Sequence, residues 1–281
     1  MKTCGILESR ADVSTEPVAV RCGLLVLALG FVFVFLVLPL VVVFSEALAA
    51  GLGAWWEAVA HPDALAAIRL TLLTVLVVLP VNVLFGMAAA WLLVRFQFPG
   101  KAVLNTLLDL PFSVSPVVVG LMYVLLFGAQ GWFGPWLAQH DLHLVFTISA
   151  IMIVTLFVTL PLVARELVPL MEAQGDEEEQ AALVLGARGW QMLWHVTLPK
   201  VRWGLLYGVS LSAARAMGEF GAASVVSGHI RGLTNTMPLH VEILYNEYQS
   251  TAAFAVASLL AMFALVTLLV KSWVEHRQKA A

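Results

Sequence analysis

Charge is what this 281-residue chain has least of: Lys, Arg, Asp and Glu make up 12% of it, about half the share of an ordinary soluble domain. Cysteine is nearly absent as well. Cys4 and Cys22 rule out a disulfide scaffold, and no CxxC spacing points to a metal or redox centre. The net charge of −3 is too small, and of the wrong sign, for a nucleic-acid surface. The phosphate-cradling pattern G-x-x-x-x-G-K-S/T is missing, since Gly100-Lys101 is followed by Ala102 and lacks the earlier glycine. There is no H-E-x-x-H, no G-x-S-x-G and no pair of acids within an apolar span, so the chain carries no expected catalytic residue. No metal site is expected either, because His140 and His143 have only Asp141 beside them.

What is present is apolar surface: 61% of residues are hydrophobic and the mean hydropathy is +0.93. A bilayer core of about 30 Å needs roughly 20 apolar residues of helix, and long gaps between charges supply six candidate spans. Arg21 and Glu46 enclose 24 uncharged residues, and Arg69 and Arg95 enclose 25. No charge falls from Leu110 to His140, although Gly128, Gly131, Gly134 and Pro135 place the helix end near Phe127. Leu142–Ala164 and Tyr248–Val270 give 23 residues each, and residues 203–226 form an apolar span that carries Arg215 and Glu219. Ala47-Leu48-Ala49 looks like a signal-peptidase site, but the stretch before it is longer than the 7–15 residues of a signal core, so a retained helix is expected.

Basic residues stay on the cytoplasmic side of a membrane. Both tails and alternate loops hold 12 of the 15 Lys and Arg, among them Lys2, Arg21, Arg95, Lys101, Arg188, Lys200 and Lys271. The pattern predicts an all-α polytopic membrane protein with six transmembrane helices and both termini in the cytoplasm. The expected division is an inner tail over 1–21, a first helix over 22–45, a main membrane domain over 66–270 with a cytoplasmic loop over 165–202, and a second tail over 271–281. Trp55, Trp56, Trp132 and Trp136 fall near outer span ends, as an aromatic belt requires.

The loop from Arg165 to Arg202 holds 10 of the 33 charged residues and is the place for a soluble partner to touch the chain. Asp176 to Glu179 complement the positive end of a helix dipole, so a short helix is expected from Asp176 to Gly186. A second, through Trp190, Met192 and Trp194, is expected to stop at Leu198-Pro199. Small Ala181 and Ala182 let the first helix lie close in a partner groove.

The order Gln180-Ala181-Ala182, then Gly186, then Val196-Thr197-Leu198-Pro199 resembles the EAA motif by which ABC importer permeases dock on their ATPase. The chain departs from the motif at Gln180, where that family usually has Glu; Glu179 is one position early and about 100° away on a helix. The run Ala214-Arg215-Ala216-Met217-Gly218-Glu219-Phe220-Gly221-Ala222, continuing through Ser224 to Gly228, resembles the sulfate and molybdate permeases, with the sulfate/thiosulfate subunits most similar. Residues 110–118 and Arg165-Glu166-Leu167-Val168-Pro169 share that likeness, which covers about residues 70–248.

The resemblance implies a type I (MetI-like) permease fold in the bacterial inner membrane, working by alternating access. It implies a homologous second permease subunit, two copies of an ATPase that binds the ATP and Mg, and a periplasmic sulfate- or thiosulfate-binding protein. Nucleic acid has no part in it. Glu179, Gln180, Ala181, Ala182, Gly186, Leu198 and Pro199 become the expected ATPase-coupling residues. Molybdate or tungstate is the alternative cargo, and a self-sufficient secondary transporter is a remote one, since coupling to protons or sodium asks for more intramembrane ionisable groups.

Membrane helices pack through small residues. The fifth span offers two ladders, Gly204-Gly208-Ser212-Ala216 and Ser210-Ala214-Gly218-Ala222. Arg215 and Glu219, four apart, read either as a packing pair or as a contact for the transported anion. Pro111 and Pro116 bracket Ser113 and Ser115, which fits either a broken helix lining the pathway or an ordinary helix entry. Ser113, Ser115, Pro116, Arg215, Glu219, Ser224 and Ser227 are the pathway or packing candidates.

Overall fold

The computed structural model describes residues 18–280, which are helical with no strand among them. Lys2, Cys4 and Arg10 of the expected inner tail lie outside the described residues. The chain falls into two compact units, residues 1–45 and 46–281.

The first unit carries one apolar rod. Helix α1 (Val18–Val32) passes through a π-helical turn, Phe33–Val37, into α2 (Leu38–Leu48), and the stretch Val20–Leu48 reaches a hydropathy of 3.1 with none of its best window buried. A helix that is apolar all round and exposed all round has lipid as its matching solvent. The π turn has a local cause: Pro39 lacks the N–H for an i−4 bond and its ring crowds the carbonyl of Phe35, so widening the preceding turn removes the clash.

The second unit opens with α3 (Gly51–Ala60) and α4 (Pro62–Arg95), a helix of 34 residues started by the His61 side chain and Pro62. Next come α5 (Lys101–Ser113), α6 (Pro116–Phe127), α7 (Gly134–Gln139) and α8 (Ile148–Gln174). The charged loop holds α9 (Glu177–Val184) and α10 (Gly189–Met192), and a second π turn, Leu193–Thr197, leads into α11 (Leu198–Met217). The chain ends through α12 (Gly221–Val226), α13 (Met237–Asn246) and α14 (Ser250–Ala280).

Four described helices are long and apolar enough to cross a membrane: Val20–Leu48, α4, α8 and Ser250–Trp273 of α14. A fifth arises if α5 and α6, bent by 106° at their break, count as one span. Of the two readings of the third span, a broken helix or an ordinary helix entry, the break is the one observed. The uncharged stretch from Leu110 is interrupted at Val114-Ser115, and residues 101–113 form a helix of their own. Ser115 precedes Pro116 and takes ψ 136, the extended geometry that a following proline enforces. The expected fifth span is likewise two pieces, α11 and α12, parted at Gly218–Phe220.

Leu198-Pro199 does not stop the second loop helix. Proline is tolerated in a first helical turn, and the π turn before it runs directly into α11, with the Leu198 N–H donating to the Leu193 carbonyl. Pro39 and Pro199 thus share one device, a π turn that ends two residues earlier.

The core forms where α4, α6, α8, α12 and α13 meet, around Leu70, Val119, Ile151, Val154, Ala222, Val226 and Leu239. Two glycines allow close helix approaches in this region. A Cβ on Gly86 of α4 would lie 2.6 Å from the Cβ of Val163 in α8, and one on Gly120 of α6 would lie 2.8 Å from the Ala222 carbonyl oxygen in α12.

Candidate functional site

Two regions gather the predicted site residues, and the coupling loop is the more completely built. Helix α9 begins at the expected place, and adjacent residues on it have opposite fates. Gln180 is exposed and donates to Asp176 Oδ2 at 2.8 Å, whereas Glu179 is buried, with 4% of its surface open. Glu179 therefore lies off the open surface of the loop. That surface consists of Gln180, Ala181, Leu183, Val184, Leu185 and Gly186, all exposed. Val184 and Leu185 are 88% and 87% open, a strongly apolar tip for so charged a loop. Gly186 turns the chain at φ +86°, a left-handed conformation that glycine takes without steric cost. Leu198 is half-buried and Pro199 exposed at the head of α11.

Arg95, in the last turn of α4, holds this loop from beneath. Its Nε donates to Glu179 Oε2 at 2.6 Å, one terminal nitrogen to the Gly175 carbonyl at 2.8 Å, and the other to the Met171 carbonyl at 3.3 Å. Thr197, buried in the second π turn, donates its hydroxyl to Glu179 Oε1 at 2.8 Å. Lys200 adds a second tie, 3.3 Å from Glu178 and 3.2 Å from the Gln174 carbonyl.

The second region surrounds the two helix breaks. A Cβ on Gly221, which opens α12, would lie 3.2 Å from the Cβ of Pro116, which opens α6, so the two helix starts pack closely. Glu219 bridges the break in the fifth span: Oε1 accepts the Ala222 N–H at 2.9 Å and Oε2 lies 3.1 Å from Arg215. The positive start of α12 is thus already served by a protein carboxylate, and the charge of Arg215 is already matched, as the packing reading requires. Ser224 donates to the Gly221 carbonyl at 2.9 Å and Ser227 accepts the His229 N–H at 3.1 Å, so both serve local structure. Ser113 donates to the Asp109 carbonyl at 3.3 Å, and Ser115 is exposed at the head of α6 with no side-chain capping bond.

The sequence reading missed three links. Asn82 of α4, fully buried, donates to Thr159 of α8 at 2.7 Å and to Ser212 of α11 at 2.9 Å. Arg165 pins α5 to α8 through Asp109 at 2.5 Å and the Asn105 carbonyl at 2.7 Å. Trp55, expected only as an interface residue, donates to Ser258 of α14 at 2.9 Å. A long-range polar partner leaves no local pattern in sequence. Of the small-residue ladders, Gly204, Gly208, Ser212 and Ala216 are buried, whereas Ser210, Ala214 and Gly218 keep open surface. No group of three or more His, Cys, Asp or Glu that could hold a metal ion occurs among the described residues.

Several helices long and apolar enough to cross a bilayer, two broken apolar stretches and a loop tied down from beneath define a multi-pass membrane protein. The comparisons give the class its name: residues 82–280 match the family model for the binding-protein-dependent transport system inner membrane component, and the chain belongs to that family. It is 50% identical to the sulfate transport system permease protein CysW of Synechocystis over 258 residues, covering 92% of this chain and 94% of that one. The CysW of Escherichia coli K12 is 50% identical over 242 residues, covering 86% and 83%. The CysT permease of the same organism is 36% identical over 241 residues, covering 86% and 87%. Among solved structures, a chain of a bacterial alginate ABC transporter matches with a TM-score of 0.72 at 16% identity, over 92% of this chain and 93% of that one, a likeness of fold alone.

Proposed function

We propose that the chain is a non-catalytic permease subunit of an ATP-driven importer that carries sulfate or thiosulfate across the bacterial inner membrane by alternating access. The observation that carries this reading is the half-identity, over nearly the full length, to permease proteins of sulfate transport. The docking loop, with its exposed small and apolar tip on a buried anchor, supports it.

In this reading six spans cross the membrane with both termini inside, the third and fifth being the broken pairs. The half-open ladder of Ser210, Ala214 and Gly218 suits the interface with a homologous second permease. Two ATPase subunits supply the ATP and Mg sites, and a periplasmic binding protein delivers the anion. Ala181, Ala182 and Gly186 lie in the ATPase groove. A bound nucleotide shifts the helices only through its different affinity for the two arrangements, so the loop must differ in its fit to the open and closed ATPase. Ser113, Ser115 and Pro116, at the turn between α5 and α6, line the pathway, while Arg215 and Glu219 hold the fifth span in shape.

Growth of a cell lacking its sulfate permeases, complemented with this chain and its companion subunits on a single limiting sulfur source, tests the cargo. Sulfate or thiosulfate should restore growth. Rescue of molybdate uptake alone would move the chain to another oxyanion.

A further inference from the structure

We infer that Glu179 and Arg95 form a permanent internal joint that carries the ATPase stroke from the coupling helix into α4, so that Glu179 is a positioning residue of coupling and not an ATPase contact. The inference rests on the reading of the loop as the ATPase dock. It begins from an economy of contacts: one guanidinium reaches α9 through Glu179 and the end of α8 through the Met171 and Gly175 carbonyls. Through Glu179 it also engages the π turn leading into α11, by way of Thr197. Four elements therefore meet at a single carboxylate–guanidinium pair.

The pair is well shielded, with side-chain exposures of 13% for Arg95 and 6% for Glu179. In such surroundings a charge left without its partner is strongly disfavoured. Separating the two while the loop moves therefore costs more than moving their helices together. The guanidinium is planar, permanently charged and offers several fixed donors, which suits a joint that must resist rotation. Neighbouring Gln180 faces outward at the motif position, so docking and anchoring are divided between adjacent residues. Helix α4 is the effective recipient of the motion because it packs along α8 and shares the buried Asn82 link with α8 and α11.

The test uses the complete transport complex in proteoliposomes, with sulfate uptake and ATP hydrolysis measured together. Glu179→Gln and Arg95→Lys should each lower sulfate moved per ATP by about tenfold, within the range usual for coupling between sites. A purely structural role would lower both quantities in proportion and leave the ratio intact, and that result overturns the inference. In a background with Cys4 and Cys22 replaced by serine, the pair Arg95→Cys with Glu179→Cys, joined by a short thiol cross-linker, should regain the ratio that it lacks before cross-linking. A cross-linked pair that hydrolyses ATP without regained transport would show that the joint must open during the cycle, and the inference fails. If the unmodified complex itself moves no sulfate, the proposed function fails instead.

Discussion

Arg215 and Glu219 form a 3.1 Å ion pair in which the carboxylate side chain is 2% exposed and the guanidinium 40%. The buried member also accepts the Ala222 N–H in the first turn of α12, so the pair closes the break in the fifth span. Arg215→Ala should lower the amount of inserted protein, at a cost of about 1–2 kcal/mol because the exposed guanidinium is partly screened. Glu219→Gln, which retains an oxygen for the Ala222 N–H, should be milder than Glu219→Ala. Quantitative immunoblots of membranes check both. Normal levels with selective loss of sulfate uptake would assign Arg215 to the anion.

Asn82 holds α4, α8 and α11 with a single amide nitrogen. Hydrogen bonds between membrane helices average about 0.6 kcal/mol and reach about 1.7 kcal/mol. Asn82→Ala should therefore destabilise by about 1–3 kcal/mol, seen as a lower melting temperature of the purified complex. Thr159→Val should lose roughly half as much.

A Cβ at Gly186 would meet nothing within 4 Å, so its constraint is the φ of +86° together with whatever docks there. Gly186→Ala should cost about 1–2 kcal/mol locally, from the left-handed backbone. Gly186→Asp, or Ala182→Glu, should block sulfate uptake while the protein remains inserted, because a charge then enters the docking face. Uptake assays and co-purification of the ATPase report this, and intact uptake with normal co-purification would remove the loop from its role.

His240 lines a cavity of about 390 Å³ with Glu57, His61, Asp63 and Arg231. Burial pushes its pKa below the ordinary 6.5, Arg231 and His61 add to that, and Asp63 and Glu247 oppose it. The unfolded chain then takes up a proton before the folded one does, so this residue's contribution is fully present above about pH 6.5 and is lost as the pH falls below it. Thermal stability should decline on acidification from pH 7 to 5.5, and His240→Gln should flatten that decline.

The uninterrupted spans were legible because a lipid-facing helix writes itself as a gap between charges: Val20–Leu48, α4 and α14 cover their expected spans, while α8 starts six residues late and runs on to Gln174, into the expected loop. The break in the fifth span was not, because apolarity reports the surrounding medium and not straightness, and the break in the third was legible only as one of two readings. Pro111 and Pro116 marked the region of the first break, but Pro111 lies inside α5 and only Pro116 opens a new helix. Leu198-Pro199 misled for a related reason, since proline ends one helix or starts another equally well. The two turns of the loop were visible in Asp176 and Gly186. Its anchor was hidden, because Arg95 lies 84 residues from Glu179 and counted only as one more inner-side cation.

In the proposed function, transport by this chain is powered from outside it. Radiolabelled sulfate uptake into proteoliposomes tests it most directly, comparing this chain alone with the complex that includes its second permease, ATPase and binding protein. Uptake should require the complete complex and hydrolysable ATP. Sulfate accumulation by the chain alone, or by the complex without ATP, would contradict the account.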